Sequence, residues 1–169
     1  GPGSNGVRTL SVLLETDARA LAALGVDLGG TAEVLRIDAI GKSHRALTVA
    51  TSAGRRWFLL GEEEAQEVVP DRDPSLPFAA RLRELRATRP VDVLAYRPHK
   101  RLVVRYGRPG ATRVVKALRP GRLDRAVEGH RLFAGAASRS GLRVPELFEV
   151  DARMHALTLE DLGGRPLVL

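Results

Sequence analysis

The sequence contains no cysteine, one tryptophan, one methionine and only 4% aromatic residues. Without cysteine there is no disulfide framework, no thiolate nucleophile and no cysteine-ligated zinc site, so the chain suits a reducing compartment such as the cytoplasm. No apolar run reaches the length of about 18 residues that indicates a membrane-spanning helix, so no membrane partner is expected. The 44% hydrophobic and 28% charged residues are instead typical of a folded globular chain.

The net charge of +7 comes entirely from the second half of the sequence. Residues 1–90 hold 12 basic and 12 acidic residues, whereas residues 91–169 hold 15 basic and 8 acidic residues. A basic half of this kind attracts an anionic partner such as a phosphate, a nucleotide or a nucleic acid. The alternative is a solvated arginine-rich surface, because only three of the 27 basic residues are lysines.

The first part of the chain reads as a small mixed extension ahead of the basic half. Residues 1–4 resemble the remnant of a cleaved expression tag, and residues 5–70 form the extension. Its predicted elements are, in order, a strand at 7–14, a helix from Thr16 to Leu24, an antiparallel β-meander at 33–38, 45–51 and 56–60, and one or two helical turns at 62–69. An extended proline-rich connector with a short helix at 78–87 follows over residues 71–90.

The basic half, residues 91–169, has a clearer pattern. Its predicted strands and single long helix lie, in order, at 91–97, 101–106, 112–118, 123–137 (the helix), 144–150 and 155–162. The order is therefore β-β-β-α-β-β. The fold class predicted for the whole chain is α+β, with an antiparallel five-stranded sheet and one main helix preceded by a small α/β extension with a β-meander.

Several familiar catalytic and binding motifs are missing. Gly41-Lys42-Ser43 resembles the end of a P-loop, but Arg36 occupies the place of the first glycine. The four histidines are scattered, and the sequence has no Gly-x-Ser-x-Gly turn. Tyr96 and Tyr106 are the only aromatic residues in the basic hairpin, which disfavours a nucleic-acid interface.

The order of elements in residues 91–169 resembles the N-terminal nucleotide-binding lobe of the aminoglycoside phosphotransferase family, a branch of the protein-kinase-like fold. The segments that carry this resemblance are VDVLAYRPHKRLVVRY, RVVKALRP, a helix with Glu128, RVPELFEVD and LTLEDLGGRPL. The resemblance implies a parent protein that uses ATP or GTP with Mg²⁺. Such a parent would transfer the γ-phosphoryl group to a hydroxyl of an aminoglycoside, a sugar or a similar acceptor.

The resemblance also implies roles for residues of the third strand and the helix. Lys116 would hold the α- and β-phosphates of the nucleotide, and Val114 lies on the same strand face. A lysine in a half-closed cleft needs an acidic partner to fix its direction, and Glu128 is the first candidate, with Asp124 as its rival. The alternative reading makes Lys116 a surface residue near the strand end and Glu128 an exposed helix residue.

Two further segments match the family's nucleotide site. The first hairpin turn has no glycine, unlike the phosphate-covering loop of protein kinases, but Arg97, His99 and Lys100 would bring cations near the phosphates. The segment that resembles the adenine-binding hinge contains Glu160, Asp161 and Leu162.

The catalytic part of such an enzyme is missing from the sequence. None of the four histidines precedes Gly-Asp, so the family's catalytic loop and its later metal-binding aspartate are absent, and this chain alone is not expected to turn over. Whether the chain belongs to an enzyme therefore stays open. The alternatives are a non-enzymatic interaction module that associates with itself or with the absent C-terminal lobe, and, less favoured, an arginine-rich nucleic-acid binder at residues 96–108.

Overall fold

The computed structural model describes residues 19–30 and 32–163, and the chain divides into two compact units, Gly1–Val69 and Pro70–Leu169. The predicted strand at 7–14 and the predicted start of the following helix at Thr16 lie outside the described residues. Each unit contains one antiparallel sheet, with four strands in the first unit and five in the second. No helix within the described residues is both long enough and apolar enough to cross a membrane.

The sheet of the first unit is the predicted meander. Its strands pair in chain order and are β1 (Glu33–Ile40), β2 (His44–Thr51), β3 (Gly54–Leu60) and β4 (Ala65–Val68). Leu47 and Phe58 point into the core, where they meet Leu21 from the helical residues 19–23. Gly25 follows this helix with a φ of 82°, a left-handed conformation that suits a helix-ending glycine and confirms the predicted stop.

The prediction of helical turns at residues 62–69 is wrong, because this segment supplies β4. A tight turn precedes the strand, in which the N–H of Gly61 donates to the carbonyl of Glu64 at 2.8 Å. Across the β3–β4 pair, the guanidinium of Arg56 donates to both carboxylate oxygens of Glu67, at 2.8 and 2.9 Å. Strand pairing and this cross-strand ion pair outweigh the helix propensity of the glutamates.

The second unit contains the predicted five-stranded antiparallel sheet and one main helix. Its elements are a 3₁₀ turn (Pro70–Arg72), α1 (Ala79–Thr88), β5 (Val91–Arg97), β6 (Arg101–Arg108), β7 (Ala111–Leu118), α2 (Leu123–Arg139), β8 (Leu147–Asp151) and β9 (Ala156–Glu160). The spatial order of the strands is β5-β6-β7-β9-β8. The connector is more compact than predicted because it begins with the 3₁₀ turn, and β8 begins three residues later than predicted, after the non-helical loop that follows α2.

Side-chain alternation gives the sheet of the second unit two different faces. One face carries the buried side chains of Tyr96 and Leu102, which pair across β5 and β6. The other face carries Leu157 of β9, which packs against Leu123 and Val127 of α2. We call this second face the helix face, because α2 covers part of it.

Candidate anion-binding site

Lys116 lies in the central strand β7 and projects from the helix face. It pairs directly with Leu157 of β9 on one side and with Val103 of β6 on the other. Directly opposed residues of antiparallel strands project to the same face of a sheet. Because Leu157 contacts α2, the predicted phosphate-binding lysine and the predicted helix lie on the same side of the sheet.

Three arginines extend the positive charge of Lys116 across neighbouring strands. Arg101 and Arg105 lie two residues to either side of the β6 residue that pairs with Lys116, and Arg97 of β5 pairs with Arg101. The period of two in a strand therefore places all four cationic side chains on the helix face. We call Arg97, Arg101, Arg105 and Lys116 the basic row.

The electrostatic setting of Lys116 disfavours its own charge. The side chain is half-buried, and this burial lowers the pKa of its ammonium group, which the positive charge of Arg101 lowers further. Over residues 19–30 and 32–163, no carboxylate forms an ion pair with Lys116. An anion bound beside Lys116 would relieve this unfavourable setting.

The structure places Val114 with Lys116 but does not join Lys116 to Glu128. Val114 is buried on the helix face, two residues before Lys116 in β7. Glu128 is exposed on α2, and it lies about 100° around the helix from Val127, which faces the sheet. Asp124, the rival partner, is also exposed. The predicted orienting carboxylate thus points away from the helix face in this conformation.

The residue after β9 anchors one end of the basic row. Nε of Arg105 lies 2.7 Å from Oδ2 of Asp161, and the hydroxyl of Thr112 donates to the same oxygen at 2.6 Å. The N–H of Gly163 donates to Oδ1 of Asp161 at 2.9 Å. Burial tends to raise the pKa of Asp161, but these hydrogen bonds and the Arg105 charge lower it below its usual value. Asp161 therefore acts as a buried anionic anchor.

The three predicted hinge residues meet in a shallow depression of ≈ 430 Å³. Glu160 and Asp161 line it together with Leu162, which is 40% exposed. Arg113 and Phe148 also line the depression, and the guanidinium carbon of Arg113 lies 4.2 Å from the centroid of the Phe148 ring. Lys116 does not line this depression, so the structure does not bring the predicted hinge and the predicted phosphate lysine into one pocket.

The turn of the first hairpin is tied to the connector. His99 has a φ of 64°, and its N–H donates to Oδ2 of Asp73 at 2.7 Å. The hydroxyl of Tyr96 donates to the same oxygen at 2.6 Å, and the N–H of Ser75 donates to Oδ1 at 2.9 Å. The turn residue Lys100 is only partly exposed. The conformation of this hairpin turn is therefore stabilised by hydrogen bonds to the buried Asp73 carboxylate, and the turn itself contains no glycine.

The hydrogen-bonded Asp73 carboxylate is a feature of the second unit that the sequence did not predict. Burial tends to raise its pKa, but the donors from Tyr96, His99 and Ser75 lower it. Burial and the carboxylate together raise the pKa of Tyr96 well above its usual value. The prolines around Asp73 indicated an extended connector, but nothing in the segment indicated a partner in the following hairpin.

Asp73, Ser75 and His99 are residue types of a hydrolytic triad, but their geometry is not that of one. Nδ1 of His99 lies 3.1 Å from Oδ1 of Asp73 and also 3.1 Å from Oγ of Ser75. A catalytic relay uses the two different ring nitrogens, one facing the acid and the other facing the nucleophile. The cluster therefore serves as a structural tie between the connector and the hairpin.

No family model, curated protein or solved structure matches this chain. The described residues also contain no group of three or more histidine, aspartate or glutamate side chains placed to hold a metal ion. The fold and the site are therefore interpreted from their own geometry.

Proposed function

We propose that the second unit is the nucleotide-binding lobe of a small-molecule phosphotransferase. The support is the β-β-β-α-β-β order in a five-stranded antiparallel sheet, with a lysine in the central strand and the long helix on the same side. Lys116 would contact the α- and β-phosphates of ATP or GTP as a point charge. The complete protein would pass the γ-phosphoryl group to a hydroxyl of an aminoglycoside or sugar-type acceptor.

The observation that carries this proposal is the setting of Lys116 in the basic row. The ammonium is half-buried beside Arg101 and has no carboxylate partner in the described part of the chain. Keeping such a charge partly desolvated costs free energy, which a polyphosphate would offset through direct contact. The neighbours of Lys116 on this face, Val114 and Leu157, are buried. If this position had only a structural role, an apolar side chain here would therefore make the fold more stable than a lysine does.

The other predicted residues would act around this centre. Arg97 and Lys100 would add cations at the hairpin turn, whereas His99 is held by Asp73 in the turn itself. Glu128 would orient Lys116 after its side chain turns toward the sheet. The segment from Glu160 to Leu162 would flank the base. Mg²⁺ would enter with the phosphates, because the described residues offer no protein-only metal site.

The test is nucleotide binding by the 169-residue chain. Isothermal titration with ATP and Mg²⁺, repeated with GTP, should detect binding that Lys116→Ala weakens by about tenfold or more. Lys42→Ala is the matched control, because Lys42 is an exposed lysine in the first unit and should leave binding unchanged. AMP should bind more weakly than ATP because it lacks the β- and γ-phosphates.

Chemical labelling provides a second readout that does not depend on affinity. The chain has only three lysines, so labelling of each can be followed separately. Acylating reagents attack the neutral amine, and the lowered pKa of Lys116 should therefore keep it reactive although its side chain is half-buried. ATP with Mg²⁺ should protect Lys116 selectively. Equal binding by the Lys116→Ala and wild-type chains, together with no protection of Lys116, would overturn the proposal.

A further inference from the structure

Three cations of the basic row lie close together at one end of the helix face. Arg97 and Arg101 are directly opposed across β5 and β6. Lys116 of β7 is a diagonal neighbour of Arg101, because it pairs with Val103, two residues further along β6. Diagonal neighbours on one face lie about 7–8 Å apart, within reach of long side chains. We call Arg97, Arg101 and Lys116 the cationic cluster.

Two acidic residues on the same face lie away from the cationic cluster. Asp92 is the strand partner of Arg105, and Asp161 contacts the same arginine just after β9. Arg105 lies four residues from Arg101 along β6, which is about 13 Å in a strand. The cluster therefore brings together three half-buried like charges at the end of the face that these carboxylates do not reach. Like charges opposed across strands are destabilising, and a bound polyanion would offset this cost.

The segment predicted to be the base-binding hinge has fewer groups to offer a ligand. The N–H of Glu160 donates to the carbonyl of Glu146 at 2.8 Å, and the N–H of Gly163 donates to Oδ1 of Asp161 at 2.9 Å. The Glu160 carboxylate accepts a hydrogen bond from the guanidinium of Arg143 at 3.0 Å. A site discriminates between bases through hydrogen bonds that only one base can make. Groups that are already bonded within the protein therefore give little selectivity for a base.

We propose that the nucleotide site selects its ligand by the phosphate chain and not by the base, with Arg101 and Lys116 binding neighbouring phosphates and Arg97 binding the end of the chain. Inorganic tripolyphosphate, ATP and GTP would then bind alike. A guanidinium can donate two parallel N–H bonds to phosphate oxygens, and the lysine acts beside it as a point charge. The inference rests on the proposed function, to which it adds Arg101 as a phosphate ligand and the triphosphate chain as the recognised group.

The test is isothermal titration of the 169-residue chain with Mg²⁺ and, in turn, ATP, GTP and inorganic tripolyphosphate. The three affinities should agree within about tenfold, and adenosine, which has no phosphate, should not bind measurably. Arg101→Gln should weaken binding of ATP and of tripolyphosphate by the same factor, about tenfold or more, because both ligands lose the same phosphate contact.

Arg113→Gln is the matched control. Arg113 is exposed and lines the hinge depression, and it lies three residues before Lys116 in β7, so it projects from the opposite face of the sheet. Its substitution should leave both affinities unchanged. Circular dichroism checks that each variant keeps the fold, and Arg97→Gln provides the same comparison if Arg101→Gln does not fold.

Failure of this inference and failure of the proposed function give different results. ATP binding more than about tenfold tighter than tripolyphosphate binding, or loss of ATP affinity alone in Arg113→Gln, would show base recognition. Either result, or equal tripolyphosphate binding by Arg101→Gln and wild type, would overturn the inference while Lys116-dependent ATP binding still supports the proposed function. No ATP binding and no protection of Lys116 would overturn both.

Discussion

Replacing Asp73 by alanine should release the hairpin turn from the connector and destabilise the second unit. The carboxylate accepts hydrogen bonds from the Tyr96 hydroxyl and from the N–H groups of His99 and Ser75, at 2.6 to 2.9 Å. Alanine leaves these donors without their acceptor in a site where the Asp73 side chain has no exposed surface. The cost is therefore dominated by buried donors that lose their partner.

The magnitude follows from the number and kind of these contacts. A hydrogen bond to a charged group contributes about 1.5–3 kcal/mol, but contacts that share one carboxylate are not additive. We therefore expect Asp73→Ala to lower the free energy of unfolding by about 3–5 kcal/mol. Tyr96→Phe removes one donor and keeps the ring, so it should cost about 1–3 kcal/mol. Asp73→Asn, which keeps one acceptor oxygen, should fall between these two variants.

Urea unfolding followed by far-ultraviolet circular dichroism measures these differences, and hydrogen exchange of the His99 amide reports the local contact. The pKa of Asp73 is lower in the folded state than in the unfolded state, so its stabilisation is present above the unfolded pKa of about 4. This stabilisation is lost as the pH falls through the folded pKa, and the gap between wild type and Asp73→Asn should narrow there. An unchanged unfolding free energy and unchanged exchange in Asp73→Ala would refute the reasoning.

Three further substitutions probe separate features. Lys116→Met should raise the stability at pH 7 by about 1 kcal/mol, because it removes a desolvated charge. Its advantage over wild type should shrink as the pH rises toward 10.5, because the lowered pKa lets Lys116 lose its proton earlier in the folded than in the unfolded wild type. Thermal unfolding across pH would measure this change. Phe58→Ala should cost about 3–5 kcal/mol in urea unfolding, because the ring is buried in the core of the first unit. Gly107→Ala should cost about 2 kcal/mol or more by the same assay, since φ is 124° and a Cβ would lie 2.7 Å from the carbonyl oxygen of Ala111.

Local pattern was sufficient to predict most strands and both helices of the second unit. The alternation in Val91–Arg97 and the period of α2 arise from burial on one side of an element, which the sequence records directly. The same logic predicted the meander of the first unit. It failed at residues 62–69, where helix-favouring glutamates lie in a strand because pairing with β3 decides the conformation.

The candidate site was only partly predictable, because some of its contacts join residues that are far apart in the sequence. Alternation placed Val114 and Lys116 on one face, and the register of β6 then added Arg101 and Arg105. The contact between Asp73 and the hairpin joins residues 23 to 26 positions apart, and no local period encodes such a contact. The exposed position of Glu128 likewise depends on which side of α2 meets the sheet.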